Sequence, residues 1–421
     1  MKLGFAKKEI AILAGLLFLA FVVRLVFFPI PGYRNDTLTY ESWFNTAATY
    51  GPRVFYSVVS WCDYPPFNVY IFWVFGSLAE RLSLFGTSLI TYAIKLGPNL
   101  FDTATAALIF VFVRKRLDFR LAVAATAVYA FNPAVVFNAA VWGQFDAIYT
   151  FFLVASLLLF LDRKPELAAA AFMVGVLTKP QSIALAPLVV FLVFRRFGWR
   201  RLLTSVLAGL VTLFAVILPF EWNNPVTFLS NIYFGAYGGY AFTSINAFNV
   251  WGFGGMWVPD TQATFLAGWV LFGALAVFVL YFVHRHFNVS KEMLVFFSAF
   301  MLFFGFFMLP TRIHERYLFP AMAVLALMVP FLKKMRLIYA VLTGTCLVNQ
   351  DYVLWFLNTN QFIAADDPVA ITGSLINSLV LVYVLALMWR ELKGKHWLSQ
   401  LPKSVRAEGL VGESEHAGKQ T

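Results

Sequence analysis

Apolar stretches of about 15–22 residues, separated by short basic clusters, recur through most of this 421-residue chain, and a helix needs ~20 apolar residues to cross a bilayer core. No other feature constrains the fold so strongly, because in hydrocarbon only helices and closed barrels satisfy their own backbone polar groups. Composition agrees: 61% of residues are hydrophobic, 18% aromatic and 13% charged, against ~45–50% apolar and ~25% charged in a soluble domain. A soluble enzyme, a disordered protein and a nucleic-acid-binding module are thereby excluded. The net charge of +11 is spread as anchors between apolar runs. The expected fold is an all-α polytopic membrane protein. The first run, Ile10–Ile30, contains Arg24 and no small-residue cleavage site, so it reads as a retained helix. Two cysteines, Cys62 and Cys346, cannot by themselves build a disulfide framework or a thiolate metal site.

Candidate spans are 10–30, 93–113, 121–139, 146–161, 166–178, 181–194, 202–220, 265–283, 293–309, 317–332, 337–349 and 370–389, with 67–82 as an ambiguous further run. Basic residues concentrate on cytoplasmic loops, and this decides whether 67–82 crosses. If it does not, the N-terminus, 114–120, 163–164, 195–201, 285–291, 333–336 and the tail from 390 share the cytoplasmic side. The 32 Lys and Arg then fall there except Arg24, inside the first span, and Arg34, Arg53, Arg81, Lys95, Lys179, Arg312 and Arg316. The expectation is about twelve spans (eleven to thirteen) in one transmembrane domain, 1–397, with interfacial or re-entrant helices in the first external loop. The termini are then cytoplasmic, in the plasma membrane. Residues 398–421 form a polar, disordered cytoplasmic tail.

With this orientation, polar residues that need another explanation gather on the external face: Arg34-Asn35-Asp36, Asp63-Tyr64-Pro65-Pro66, Trp142-Gly143-Gln144-Phe145-Asp146, Thr178-Lys179-Pro180-Gln181, Tyr233–Trp257 and Arg312–Arg316. In the long first external segment, 31–92, Asp36, Tyr40, Trp43 and Phe44 are spaced as one face of a helix over 36–49, with Asn35 as its cap. The second, 221–264, is rich in Gly and aromatics and reads as a mobile loop with aromatic anchors.

Asp36 reads as a general base in a partly dry site or as a helix cap. Asp63 binds a substrate or ion, or belongs to a rigid turn set by its paired prolines. Gln144 and Asp146 hydrogen-bond sugar hydroxyls or cap a helix, and Trp142 suits the interface. Lys179 needs an anionic partner or snorkels to water. Arg312, His314 and Arg316 form a cationic group suited to phosphate. There is no phosphate-binding Gly-rich loop and no Asp-x-Asp element. Neither a metal nor a cofactor is expected, and Asp366-Asp367 reads as the cap of the last span.

Asp36, Asp-Tyr-Pro-Pro (63–66), Trp-Gly-Gln-x-Asp (142–146), Thr-Lys-Pro-Gln (178–181) and His-Glu-Arg-Tyr (314–317), in that order within a multispan frame, resemble the GT-C glycosyltransferases. The chain is similar to prokaryotic mannosyltransferase-like proteins related to the glycosylphosphatidylinositol mannosyltransferases, and to the dolichyl-phosphate-glucose glucosyltransferases. The resemblance covers about 10–320. It implies a polyprenyl- or dolichyl-phosphate sugar donor, with mannose or glucose favoured, and inversion at the anomeric carbon. The acceptor is a lipid-linked glycan or another acceptor on the outer face. By the same resemblance Asp36 is the base, and Lys179, Arg312, His314 and Arg316 stabilise the leaving lipid phosphate. Asp63, Tyr64, Trp142, Gln144, Asp146 and Gln181 bind substrate or acceptor, and the 221–264 loop closes over them. The first-loop motif is Asn35-Asp36-Thr37, where many relatives have a small residue before the Asp and an aromatic or acidic residue after it, which leaves Asp63 as the alternative base. The rival reading is a polytopic transporter or lipid flippase. That class places ionisable residues deep in spans or in paired broken helices, whereas here they collect at one face.

Overall fold

The computed structural model describes residues 6–287, 291–395 and 397–398. The first part of the chain forms α1 (Lys7–Leu25), α2 (Arg34–Tyr50), the short α3 (Phe55–Val58), α4 (Pro66–Arg81), α5 (Ile90–Arg114), α6 (Phe119–Ala130) and α7 (Pro133–Val136), which runs into a π-helical turn, Phe137–Trp142. Then follow α8 (Asp146–Leu161), α9 (Pro165–Val176), α10 (Ala186–Ile217), α11 (Pro225–Gly238), α12 (Gln262–His286), α13 (Lys291–Met308), α14 (Phe319–Met328), α15 (Lys333–Asn358) and α16 (Pro368–Leu392). Many begin as their sequences dictate. Proline occupies the first turn of α4, α7, α9, α11 and α16, where its missing N–H costs nothing. Asp118, Asn132, Asn224 and Asp367 cap α6, α7, α11 and α16 through their side-chain oxygens. Asp367 thus does what its place before Pro368 suggests.

The chain is an all-α polytopic membrane protein. Among the described residues, five helical segments are long and apolar enough to cross a bilayer, and the bent pair α6–α7 with its π-turn makes a sixth. Helices α8, α9, α13 and α14 are apolar but shorter.

The segment 180–217 is a hairpin. Gly198 has φ +80° and ψ 178° and breaks α10, a conformation in which glycine meets no Cβ penalty. Straight, this segment would be ~57 Å long, yet both ends touch the start of α4. Phe67 N donates to Leu177 O (2.9 Å), and the Asn68 amide to Thr178 O (2.5 Å). The Tyr70 hydroxyl donates to Val216 O (2.6 Å). The bend lies at the other end of the bundle, where Arg196 reaches Phe160 O and Arg201 pairs with Glu166 at 2.9 Å. Two apolar segments with a basic turn between them is also what the sequence pattern anticipates.

That far end carries the basic clusters. Arg114–Glu9 (2.9 Å), Arg116–Glu292 (2.6 Å) and Arg201–Glu166 pair there, half-exposed and each worth ~0–1 kcal/mol. They align helix ends more than they stabilise them. The polar residues singled out from the sequence lie at the opposite end.

The ambiguous run 67–82 is α4, which packs against α2 and α5. Gly76 makes this close, because a Cβ there would collide with the carbonyl of Phe44 on α2. Tyr40, Trp43, Phe44, Phe55, Tyr64, Phe72 and Phe145 form the aromatic core between these elements, and each fully buried ring contributes ~1.5–3 kcal/mol.

Two local expectations differ. Helix α2 begins at Arg34, and Asn35 does not cap it but donates to the Tyr33 hydroxyl. Segment 221–264 is not simply a loop. It contains α11, and β1 (Ser244–Ile245) then pairs in parallel with β2 (Ile313–His314). Backbone bonds from Arg312 N to Phe242 O and from Thr243 N to Val258 O add to the pairing. Phe242, Ser244 and Ile245 thus find backbone partners in 312–314, a non-local pairing that composition cannot reveal, while Thr243 pairs within its own segment. The tail 399–421 lies outside the described residues.

Candidate active site

The site is organised around one turn, Trp142–Asp146. The π-turn ends at Gly143, which has φ +87° and lets the chain reverse without strain. On one side of the reversal, Trp142 Nε1 and Gln144 Nε2 both donate to Asp36 Oδ2, at 2.9 and 2.8 Å. Asp36 Oδ1 makes no hydrogen bond among the described residues. Asp36 is therefore a carboxylate with one oxygen fixed and one open, and not a helix cap. Burial raises its pKa, against the pull of Arg316 and of the Trp142 and Gln144 donors.

On the other side, Asp146 Oδ1 accepts from Lys179 Nζ at 2.8 Å, and Oδ2 accepts from the Asn138 amide at 3.2 Å. Asp146 is fully buried and Lys179 nearly so. Burial lowers the Lys179 pKa, and Asp146 opposes this. The lysine is thus a paired interior cation, neither isolated nor snorkelling.

The loop before α14 supplies the remaining charges. Arg316 donates to Glu315 at 2.6 Å, and its Nε lies 3.9 Å from Asp146 Oδ2. Burial alone would raise the Glu315 pKa, but Arg316 and His314 beside it hold it down to about 2. Burial and Arg316 push the His314 pKa below its usual value, so the ring is neutral near pH 7 and acts as a hydrogen-bonding group. Arg312, whose φ is +63°, pairs with Asp260 at 3.0 Å, and Thr311 donates to the same oxygen at 2.8 Å. A non-glycine residue in this region is held there by its surroundings. The cluster that reads as bare positive charge in sequence is in fact matched by Asp260, Glu315 and Asp146.

These groups surround a cavity of about 460 Å³ whose wall includes Asp63, Tyr64, Lys179, Gln181, Arg312, His314 and Arg316, with Tyr233, Tyr240 and Trp269 as aromatic faces. Three buried polar atoms at this wall lack hydrogen-bond partners: Asp63 Oδ1, Gln181 Oε1 and Arg316 Nε. Two acceptors and one donor left unmet in a buried wall are costly unless a polar ligand meets them. Asp63 is pushed up to about 6, mainly by burial.

The structure therefore brings together all of Asp36, Asp63, Tyr64, Trp142, Gln144, Asp146, Lys179, Gln181, Arg312, His314 and Arg316, but in two layers. Trp142, Gln144 and Asp146 do not line the cavity. Trp142 and Gln144 bond Asp36, and Asp146 bonds Lys179. Asp36 sits at the edge of the same cluster without forming the cavity wall. Tyr40, read from the sequence only as part of the α2 face, also joins the site, bonding Tyr64 (2.8 Å) and Gln144 (3.2 Å). The sequence carried no signal for Asn138, whose amide bridges Asp146 and Gln350, or for Asp260. The last two look like ordinary polar residues until the fold supplies their partners. No group of three or more metal-ligating side chains occurs among the described residues.

An all-α membrane frame with a polar site of carboxylates and paired cations at one end is the setting in which a membrane glycosyltransferase of the GT-C type works, and the comparison with known families identifies that class. The sequence model of glycosyltransferase family 87 matches residues 61–310, more than half of the chain, and the chain belongs to that family. The match includes Asp63, the Trp142–Asp146 turn and Lys179, while Asp36 and the 312–316 loop lie outside it. No curated protein matches the chain.

Proposed function

We propose that this chain is an inverting hexosyltransferase that takes its sugar, mannose or glucose, from a polyprenyl- or dolichyl-phosphate donor. The acceptor is a lipid-linked glycan or another hydroxyl-bearing acceptor at the outer face of the plasma membrane. The observation that carries the donor class is an apolar groove of about 620 Å³ between the first leg of α10 and α12, lined by Ile183, Val190, Phe191, Phe194, Trp269 and Phe272 among others. Ile183 and Trp269 also line the polar cavity, so the two spaces adjoin. A donor with a charged head and a long hydrocarbon tail fits this pair of spaces, whereas a water-borne nucleotide sugar has no use for the groove.

In this reading Asp36 Oδ1 takes the proton of the acceptor hydroxyl, and that oxygen attacks the anomeric carbon from the face opposite the phosphate. The bond to the phosphate oxygen breaks, and the lipid phosphate leaves with the electron pair. Lys179, Arg316 and Arg312 stabilise its charge, and neutral His314 donates a hydrogen bond. Asp63 Oδ1 and Gln181 Oε1 accept from sugar hydroxyls, and Tyr64 and Tyr240 offer ring faces. Trp142, Gln144 and Asp146 position the base and the lysine. The raised pKa of Asp36 suits a base that must bind its proton during transfer. The chemistry uses no metal. The supporting topology is about twelve crossings in one domain spanning 1–397, with both termini cytoplasmic and 67–82 not crossing.

Asp63 is the second candidate base, because it lines the cavity and Asp36 does not. The test uses purified protein in lipid with radiolabelled polyprenyl-phosphate sugars and a membrane lipid extract. Wild type should transfer, Asp36→Asn should not while still binding donor, and Asp63→Asn should chiefly raise the donor KM. The opposite result for the two variants moves the base to Asp63. No transfer from any polyprenyl-phosphate sugar removes the donor assignment.

A further inference from the structure

Lys95 is a cation that the proposed chemistry does not use. It lies on α5, is 1% exposed, and has no carboxylate partner among the described residues. Its Nζ donates instead to three backbone carbonyls: Phe27 O at 3.1 Å, Ile30 O at 2.5 Å and Val141 O at 3.0 Å. An ammonium has three donors, and all are used.

The carbonyls come from two chain ends that lead to the site. Phe27 and Ile30 belong to the turns in which α1 ends, and six residues beyond Ile30 is Asp36. Val141 is in the last turn of the π-helix, immediately before Trp142, whose indole holds Asp36. Carbonyls at a helix end carry partial negative charge; of these three, Phe27 O also accepts from Ile30 N at 3.1 Å. Two such ends side by side repel each other unless a donor or cation lies between them. Other contacts hold the 31–37 segment to the turn, to itself and to α15. Gly32 is packed so closely on the Trp142 carbonyl that a Cβ would collide with it, the Thr37 hydroxyl bonds Pro31 O, and the Asn358 amide bonds Gly32 O.

We propose that Lys95 is a positioning residue of the transfer site, a three-way backbone staple that fixes the segment leading into α2, which carries Asp36, against the turn carrying Trp142. Its direct partners flank Asp36 and Trp142, and it does not touch Asp146, Glu315 or Asp260, which hold the groups assigned to the donor phosphate. The proposal rests on Asp36 being the base.

The test compares Lys95→Met, which keeps the stem and removes all three donors, with Lys95→Arg, which keeps charge and donors. Displacement of a base by about 1 Å can cost on the order of 10²-fold. Lys95→Met should therefore lower kcat ~10–10²-fold per folded molecule with donor KM unchanged, and Lys95→Arg should recover part of it. A loss of folded protein at unchanged kcat, or a parallel rise in donor KM, overturns the proposal. A second readout needs no activity. In protein labelled with 15N at the tryptophan indoles, the Trp142 signal is the one missing from Trp142→Phe. Lys95→Met should shift it as Asp36→Asn does, and an unmoved signal overturns the staple. If Lys95→Met shifts the signal while Asp36→Asn retains transfer, the staple stands and the base assignment fails.

Discussion

Replacing Asp146 by Asn removes one charge from the centre of the site while keeping its shape. The Lys179–Asp146 pair is 2.8 Å long with side chains 5% and 0% exposed. Breaking a buried pair at one end costs ~3–5 kcal/mol, because the other charge is left uncompensated. Lys179→Met is expected to cost less, ~1–3 kcal/mol, since Asp146 keeps its bond from Asn138 and the nearby Arg316. In the double variant neither charge is stranded, so it should be more stable than the sum of the single losses by ~2–3 kcal/mol. Unfolding in mixed micelles, with each variant's midpoint and slope, measures this cycle. Transfer should not follow stability. The double variant folds but has no ammonium for the leaving phosphate, and its kcat/KM should stay ~10²–10³-fold below wild type. The Lys179 pKa in Asp146→Asn falls further without its carboxylate, so that variant should regain stability as pH rises and the lysine loses its charge. Additivity within ~0.5 kcal/mol would refute the pairing. Recovery of transfer along with stability in the double variant would leave Lys179 a structural residue only.

Asp36→Asn should lower kcat by ~10²–10⁴-fold, the usual contribution of a general base, with donor binding intact by filtration or scintillation proximity. Trp142→Phe removes a donor that lowers the Asp36 pKa, so the acid limb of the pH–rate profile should move to higher pH, and an unmoved limb would detach Trp142 from the base. Asp63, raised from 3.8 to about 6, binds its proton more tightly when folded. Its contribution to stability is complete below about 3.8 and is lost as pH rises through about 6, and Asp63→Asn should flatten unfolding free energy over that window. Gly32→Ala combines a φ of +69° with a collision against the Trp142 carbonyl, and should reduce both folded yield and kcat.

Hydropathy and charge along the chain were enough for the class of fold. Apolar length is set by bilayer thickness, so the helical segments could be read without knowing any contact, and the basic turn at 195–201 marked where 180–217 folds back. The sequence also marked nearly every charged residue of the site, because a polar group retained in so apolar a chain needs a reason. What it could not decide was which group answers which. Asp146 and Lys179 are 33 positions apart and Arg312 and Asp260 are 52 apart, and helix packing alone makes them pairs. The same holds for Trp142 and Gln144, whose bonds to Asp36 across more than a hundred positions appear only in the folded chain. Lys95 looked like a basic residue on the unexpected side, and only the convergence of two helix ends explains its place. Periodicity and hydropathy are local properties, legible one segment at a time. Pairing, burial and the division of a site into contacting and supporting layers arise where distant segments meet, and only the tertiary structure contains those distances.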